Sequence, residues 1–176
     1  MYEARPIPSR LSMSATAKPK EVLVLGLGNP RLADDGIGVH VVRHLARDKE
    51  TPPGLRALDA GTFGFRLLSK LTKAEAVLMV DAAEIGAAPG ETRLLEREEL
   101  ALHVSRGGRI AAHDSGLVGL LTLARMQGYQ PKRLALLAVQ PQTMDWGEDM
   151  STPVSESLPL VCDQVIRTVL AWQETG

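Results

Sequence analysis

The sequence predicts a three-layer α/β/α sandwich around a five-stranded, mostly parallel twisted sheet. Short unbroken apolar runs recur at 22–27, 76–80 and 134–139, the pattern of strands buried on both faces. Segments with apolar residues at steps of three and four lie between them, so helices connect the strands. The first two runs close on Gly26-Leu27-Gly28-Asn29 and on Asp81, at the strand ends where open α/β sheets bind ligands.

In chain order, Val22 to Leu27 is the first strand, and Gly36 to Asp48 is a helix with Ile37, Val41 and Leu45 on its apolar side. Thr51-Pro52-Pro53-Gly54 breaks the chain before a short second strand, Leu55 to Leu58, which ends in Asp59. Thr62 to Leu71 is predicted helical and Ala76 to Val80 is the third strand. A turn at Ala87-Ala88-Pro89-Gly90 leads to a fourth strand around Thr92 to Leu95, and its nearness to the third predicts a hairpin-like antiparallel pair. Glu98 to Val104 and Leu117 to Met126 are helices, and Leu134 to Val139 is the fifth strand. A polar loop, Gln140 to Thr152, precedes the last helix, where Val154, Leu158, Val161, Val165, Val169 and Trp172 form a core-facing stripe.

Residues 21–176 are expected to form one domain, since 176 residues suit a single sizeable core. Residues 1–20 are polar and proline-bearing, lack the apolar stretch of a secretory signal and read as a flexible tail, with Met13 as an alternative start. Lys and Arg total 20 against 21 Asp and Glu, which leaves no global field for nucleic acid or a membrane surface. No apolar run has the length of a membrane span. The lone cysteine, Cys162, excludes an internal disulfide and fits a reducing compartment, so a cytoplasmic location is expected. No feature suggests an obligate dimer, and a monomer is expected.

The glycine-rich turn after the first strand offers carboxylates, Asp34 and Asp35, where a phosphate-binding loop would offer amides and a lysine. That substitution points toward a cation. Asp35, Asp81 and His113 are the candidate set: two carboxylates and an imidazole make a facial group of ligands for a divalent transition metal with positions left open. Structural roles compete with this reading. Asp34 or Asp35 suits the N-cap of the helix beginning near Gly36, Asp59 and Asp81 suit turns, and a loop histidine such as His113 is commonly just solvated.

Other combinations are weaker. Cys162 lies beside the apolar stripe of the last helix and reads as a core residue. His113-Asp114-Ser115 lacks a nucleophile elbow, and consecutive residues rarely converge as a triad does. His40 and His44 lie one helical turn apart without the glutamate of a zinc-protease motif and read as surface residues, and His103 has no partner in view. A dinucleotide fingerprint begins at Gly26 and Gly28 but meets Arg31 where its third glycine belongs, although Asp59 stands where a ribose-binding acid would.

With these residues assembled, the chain resembles the hydrogenase maturation endopeptidases over most of its length, from about Val22 to Ala171. The resemblance rests on Gly26-Leu27-Gly28-Asn29 with Asp34-Asp35-Gly36-Ile37-Gly38, on Asp59-Ala60-Gly61-Thr62, on Val80-Asp81-Ala82, and on His113 with Gly116-Leu117. Val139-Gln140-Pro141 and Ser151-Thr152-Pro153 are similar to the family's C-terminal region. It implies the α/β/α fold and an enzyme that trims the C-terminus of the large-subunit precursor of nickel-iron hydrogenases once nickel is in place. It further implies that Asp35, Asp81 and His113 ligate that nickel, which belongs to the substrate, and that no organic cofactor is needed. Pro30 after Asn29 and Asp114 after His113 depart from the family pattern. Two rivals share part of the signal: a peptidyl-tRNA-hydrolase-like enzyme, from Gly28-Asn29-Pro30, and a nickel chaperone that does not cleave, since no nucleophile is evident.

Overall fold

The computed structural model describes residues 21–49, 51–60, 66–105 and 122–175. The expected tail at 1–20 lies outside them, as do Gly61, Thr62 and the segment 106–121 with His113. The strands are β1 (Val22–Gly26), β2 (Leu55–Asp59), β3 (Ala76–Ala82), β4 (Thr92–Glu96) and β5 (Arg133–Val139). A 3-10 turn at Ala33–Gly36 runs into helix α1 (Ile37–Leu45), followed in the chain by α2 (Arg66–Leu71) and α3 (Arg97–Ser105). Helix α4 is described over residues 122–126, and α5 spans Thr152–Glu174.

The sheet order is β2-β1-β3-β5-β4, parallel except for β4. Every residue of β1 and β3 is buried, as their unbroken apolar runs require. Alternation along the strands separates two cores. Val22, Val24, Leu78, Val80, Leu137 and Val139 face α1 and α5, which contribute Ile37, Val41, Leu45, Val161, Val165, Val169 and Trp172. Leu23, Leu25, Val77, Met79, Leu136 and Ala138 face the other way, toward Leu67 and Leu71 of α2, Leu100 of α3 and Ala124 of α4. The predicted three layers are therefore present.

One expected pairing is replaced. β4 is antiparallel, but its partner is β5, not β3. Both edges of β3 are already taken, by β1 on one side and β5 on the other, so the chain following β3 must pass beyond β5 before it can pair. Backbone bonds at the top of β5 guide it: Gly90 N–H donates to the Gln140 carbonyl (2.9 Å), and Gln140 N–H to that of Glu91 (2.8 Å).

The start of α1 is pressed into the C-terminal end of the sheet. A Cβ on Gly38 would stand 2.1 Å from the Val80 carbonyl oxygen and 2.6 Å from that of Leu27, and one on Gly26 would stand 2.2 Å from the Gly38 carbonyl. Helix and strand thus touch backbone to backbone, which holds the residues just before α1 over the end of β3. A methyl group cannot be accommodated there without moving the helix. Gly38→Ala is expected to destabilise the protein by about 3 kcal/mol or more, read as a lowered urea midpoint with little change in slope.

Candidate functional site

The loop joining β1 to α1 is built by turn chemistry specific to its residues. Gly28 has φ +96, and a Cβ there would lie 1.7 Å from the carbonyl oxygen of Asp35, so only glycine lets the loop close on itself. Asn29 accepts Arg31 N–H on its Oδ1 (3.0 Å), a side-chain turn that starts the reversal. Ala33 follows with φ 45, a left-handed conformation costly for a residue with a Cβ, and one that points to a constrained local structure.

The two adjacent carboxylates are both buried yet serve different ends. Asp35 turns back within the loop, its Oδ2 accepting the N–H of Asn29 at 2.7 Å. Asp34 is fully buried and faces the loop between β5 and α5. Its Oδ2 accepts the N–H of Gln142 (2.8 Å), the N–H of Thr143 (3.0 Å) and the Ser151 hydroxyl (2.8 Å), while Oδ1 accepts the N–H of Ser151 (2.7 Å). The N-cap expectation is therefore corrected: neither the 3-10 turn nor α1 has a side-chain cap. The donors available across the gap outnumber those a cap would supply, and Asp34 goes to them. Ser151, the N-cap of α5, spends its hydroxyl on Asp34 instead of on its own helix.

Asp81 is the sixth residue of β3, fully buried, in register with Ala138 of β5. Strand alternation puts it on the face of Val77 and Met79. Val80, one residue before it, accepts the N–H of Leu27 at 2.9 Å and lies in register with Gly26. Asp35 and Asp81 thus both come to the C-terminal edge of the sheet, from a loop and a strand that are neighbours. Gln140, at the end of β5, also helps build this edge although its side chain was not singled out from sequence. Its Oε1 accepts the N–H of Ile85 (2.9 Å) and Ala87 (3.4 Å), and its Nε2 donates to Glu84 (2.8 Å) and the Pro141 carbonyl (3.2 Å). The Gln-Pro pair after an apolar strand was the available signal.

Residues 39–168 match the family model described as hydrogenase maturation protease. The chain belongs to the hydrogenase maturation protease family. It is 32% identical over 157 residues to the hydrogenase 2 maturation protease of Escherichia coli, covering 88% of this chain and 92% of that one. It is 32% identical over 156 residues to the hydrogenase expression/formation protein HupD of Rhodobacter capsulatus, covering 88% and 74% respectively. The solved structure of the hydrogenase maturating endopeptidase HybD from E. coli superposes with a TM-score of 0.75 at 30% identity, over 86% of this chain and 93% of that one. The protein is accordingly a peptidase of hydrogenase maturation.

In this maturation protease the remaining candidates are structural or lie elsewhere. His113 falls outside the described residues, with Asp114, Ser115 and Gly116. Among the described residues no three His, Cys, Asp or Glu side chains converge to hold a metal, so Asp35 and Asp81 are the two predicted ligands whose places are known. Asp59 ends β2 and pairs with Arg43 of α1 at 3.1 Å, tying helix to sheet edge. His44 is exposed as expected, whereas His40 is half-buried, and burial, aided by the Arg43 guanidinium, holds its imidazole below the ordinary value. Both line an open cleft of about 600 Å³ with Arg43, Arg47, Asp48 and Leu158, on the α1–α5 side. Cys162 is a core residue, and burial, with the Asp48 charge second, pushes its thiol up to about 11.

Asp34→Ala leaves three amides and a hydroxyl without their acceptor and is expected to cost about 3 kcal/mol or more in chemical denaturation, well above the cost of Asp35→Asn. The raised thiol of Cys162 favours the fold while neutral. Its contribution is complete below pH 9, the ordinary thiol value, and is lost as pH rises through about 11. Iodoacetamide at pH 8 should label native Cys162 roughly 100-fold more slowly than the urea-unfolded chain.

Proposed function

We propose that this protease removes the C-terminal peptide of a nickel-iron hydrogenase large-subunit precursor after nickel insertion, and that Asp35, Asp81 and His113 contact the inserted nickel. The observation that carries the reading is the delivery of two buried carboxylates, Asp35 and Asp81, to one end of the sheet by the turn after β1 and the end of β3. Buried acids without a structural load are costly to keep. Asp34 has such a load, shared among four donors, whereas the one contact described for Asp35 lies inside its own loop. A site of two carboxylates and an imidazole suits a divalent cation such as nickel. His113 belongs to the stretch of chain between α3 and α4, and both helices cover the sheet face that carries Asp81.

Recognition of nickel gives the enzyme its timing. A precursor that lacks the metal lacks the ligand for which the acids are held, so only loaded precursor is fixed with its peptide in reach. Hydrolysis then needs a water whose proton is accepted as it attacks the scissile carbonyl and is passed to the leaving nitrogen as the C–N bond breaks, and a carboxylate of this pair suits both transfers. The cation itself polarises a carbonyl placed beside it. Reading the enzyme as metal-guided and carboxylate-dependent thus asks for no serine or cysteine nucleophile. On this reading it acts as a monomer in the cytoplasm.

The test is intact mass spectrometry of a purified precursor, nickel-loaded or nickel-free, before and after incubation with the enzyme. Loss of a C-terminal peptide from the loaded form alone is expected. Asp35→Asn keeps an oxygen for the Asn29 amide, so it should remain folded, with a stability loss of about 1 kcal/mol, while processing falls at least 100-fold. Full processing by that variant would overturn the assignment of Asp35.

A further inference from the structure

We infer that Trp146 is the anchor by which this protease docks its protein substrate, entering an apolar hollow rimmed by Lys and Arg on the precursor's surface. This rests on the reading of the substrate as a large-subunit precursor. Trp146 is 82% exposed, while the other tryptophan, Trp172, is 6% exposed and packed in the core. A tryptophan held in water carries a large unburied apolar surface, and aromatic side chains of this kind dominate binding energy when a partner covers them.

The exposure is not that of a loose loop. Gly147, the next residue, donates its N–H to the Arg31 carbonyl (3.0 Å) and accepts the Ala33 N–H (2.8 Å). Thr143 accepts the Asp34 N–H (3.2 Å), and the Asp34 carboxylate grips the amides of Gln142, Thr143 and Ser151. Trp146 is therefore carried on a short arch tied down on both sides. Binding through it forfeits little backbone freedom, the condition under which an aromatic anchor is most effective. The tether is also the loop of the candidate site. Gly147 bridges to Leu32, whose carbonyl accepts the N–H of Asp35. A partner seated on Trp146 is thereby placed beside Asp35.

The rim specifies the partner's charge. Asp145, Glu148 and Asp149, the exposed neighbours of Trp146 in the chain, outnumber the one exposed cation tied to the arch, Arg31, whose carbonyl accepts the Gly147 N–H. The hollow that accepts the indole is therefore flanked by cationic side chains, which steer encounter and set orientation more than they add affinity.

The experiment uses full-length enzyme and nickel-loaded precursor, with KM and kcat separated. Trp146→Ala should raise KM about 30-fold, leave kcat within about twofold, and leave thermal unfolding unchanged, with Trp146→Phe recovering most of the loss. The pair Glu148→Lys and Asp149→Lys should lower kcat/KM about tenfold at low salt, with the deficit shrinking in high salt. With 5-fluorotryptophan incorporated, the fluorine resonance of Trp146 should shift when precursor binds, while that of Trp172 stays. Cleavage by wild type together with an unchanged KM in Trp146→Ala, or an unmoved Trp146 resonance at saturation, overturns the docking role. Failure of wild type to bind or cleave the precursor overturns instead the functional reading beneath it.

Discussion

A carboxylate removed from bulk water must find its donors within the protein, and Asp34 draws its own from residues 108 to 117 positions further along the chain. The bonds are charge-assisted and their number suits a carboxylate's lone pairs. Through them the turn after β1, the loop after β5 and the start of α5 become one unit. The backbone bridge between Leu32 and Gly147 runs alongside, so the two loops are tied by main chain as well as by side chain. The position of Asp35 depends on this arrangement, because a residue next to a pinned neighbour in a strained turn has little room to move.

The second constraint is how close α1 comes to the sheet. Main-chain contact between Gly38 and the carbonyls of Val80 and Leu27 leaves no slack between helix and strand. The loop carrying Asp35 therefore inherits the rigidity of β1 and β3, the two strands buried along their whole length. Sites whose chemistry depends on fixed ligand geometry profit from such support, since a displacement of an ångström weakens coordination or attack severely.

The parts of this architecture that were legible in the sequence are those governed by local pattern. β1, β3 and β5 stand out because strands covered on both faces need apolar residues at every position, and α5 stands out because its one buried stripe repeats at helical spacing. The antiparallel sense of β4 was also readable. Its partner was not, since that depends on which edges are free after β5 has docked against β3, and this is decided far away in sequence. The same limit applies to Asp34 and Asp35. Two neighbouring aspartates look alike on paper, and only the position of Ser151 and Gln142 shows that the first has a structural task. Asp81 was legible as an acid closing a buried strand, a place where turn residues and ligands are equally at home. Gln140 is half legible: a Gln-Pro pair closing an apolar strand stands out in the sequence, while the role of its amide in joining the β3 and β5 loops is set by the fold.

The terminal helix closes one side of the sheet with Val161, Val165, Val169 and Trp172. In the order of synthesis these residues follow all five strands of the described sheet. Until they arrive, the face of β1, β3 and β5 that they cover is an open apolar surface, and the Asp34 carboxylate waits for the amide and hydroxyl of Ser151. Parallel sheets of distant strands are slow to assemble in any case. The nascent chain therefore passes through an interval in which part of that core is exposed and incomplete, and α5 acts as the closing latch. Proteins that screen newly made chains have their natural opportunity in that interval.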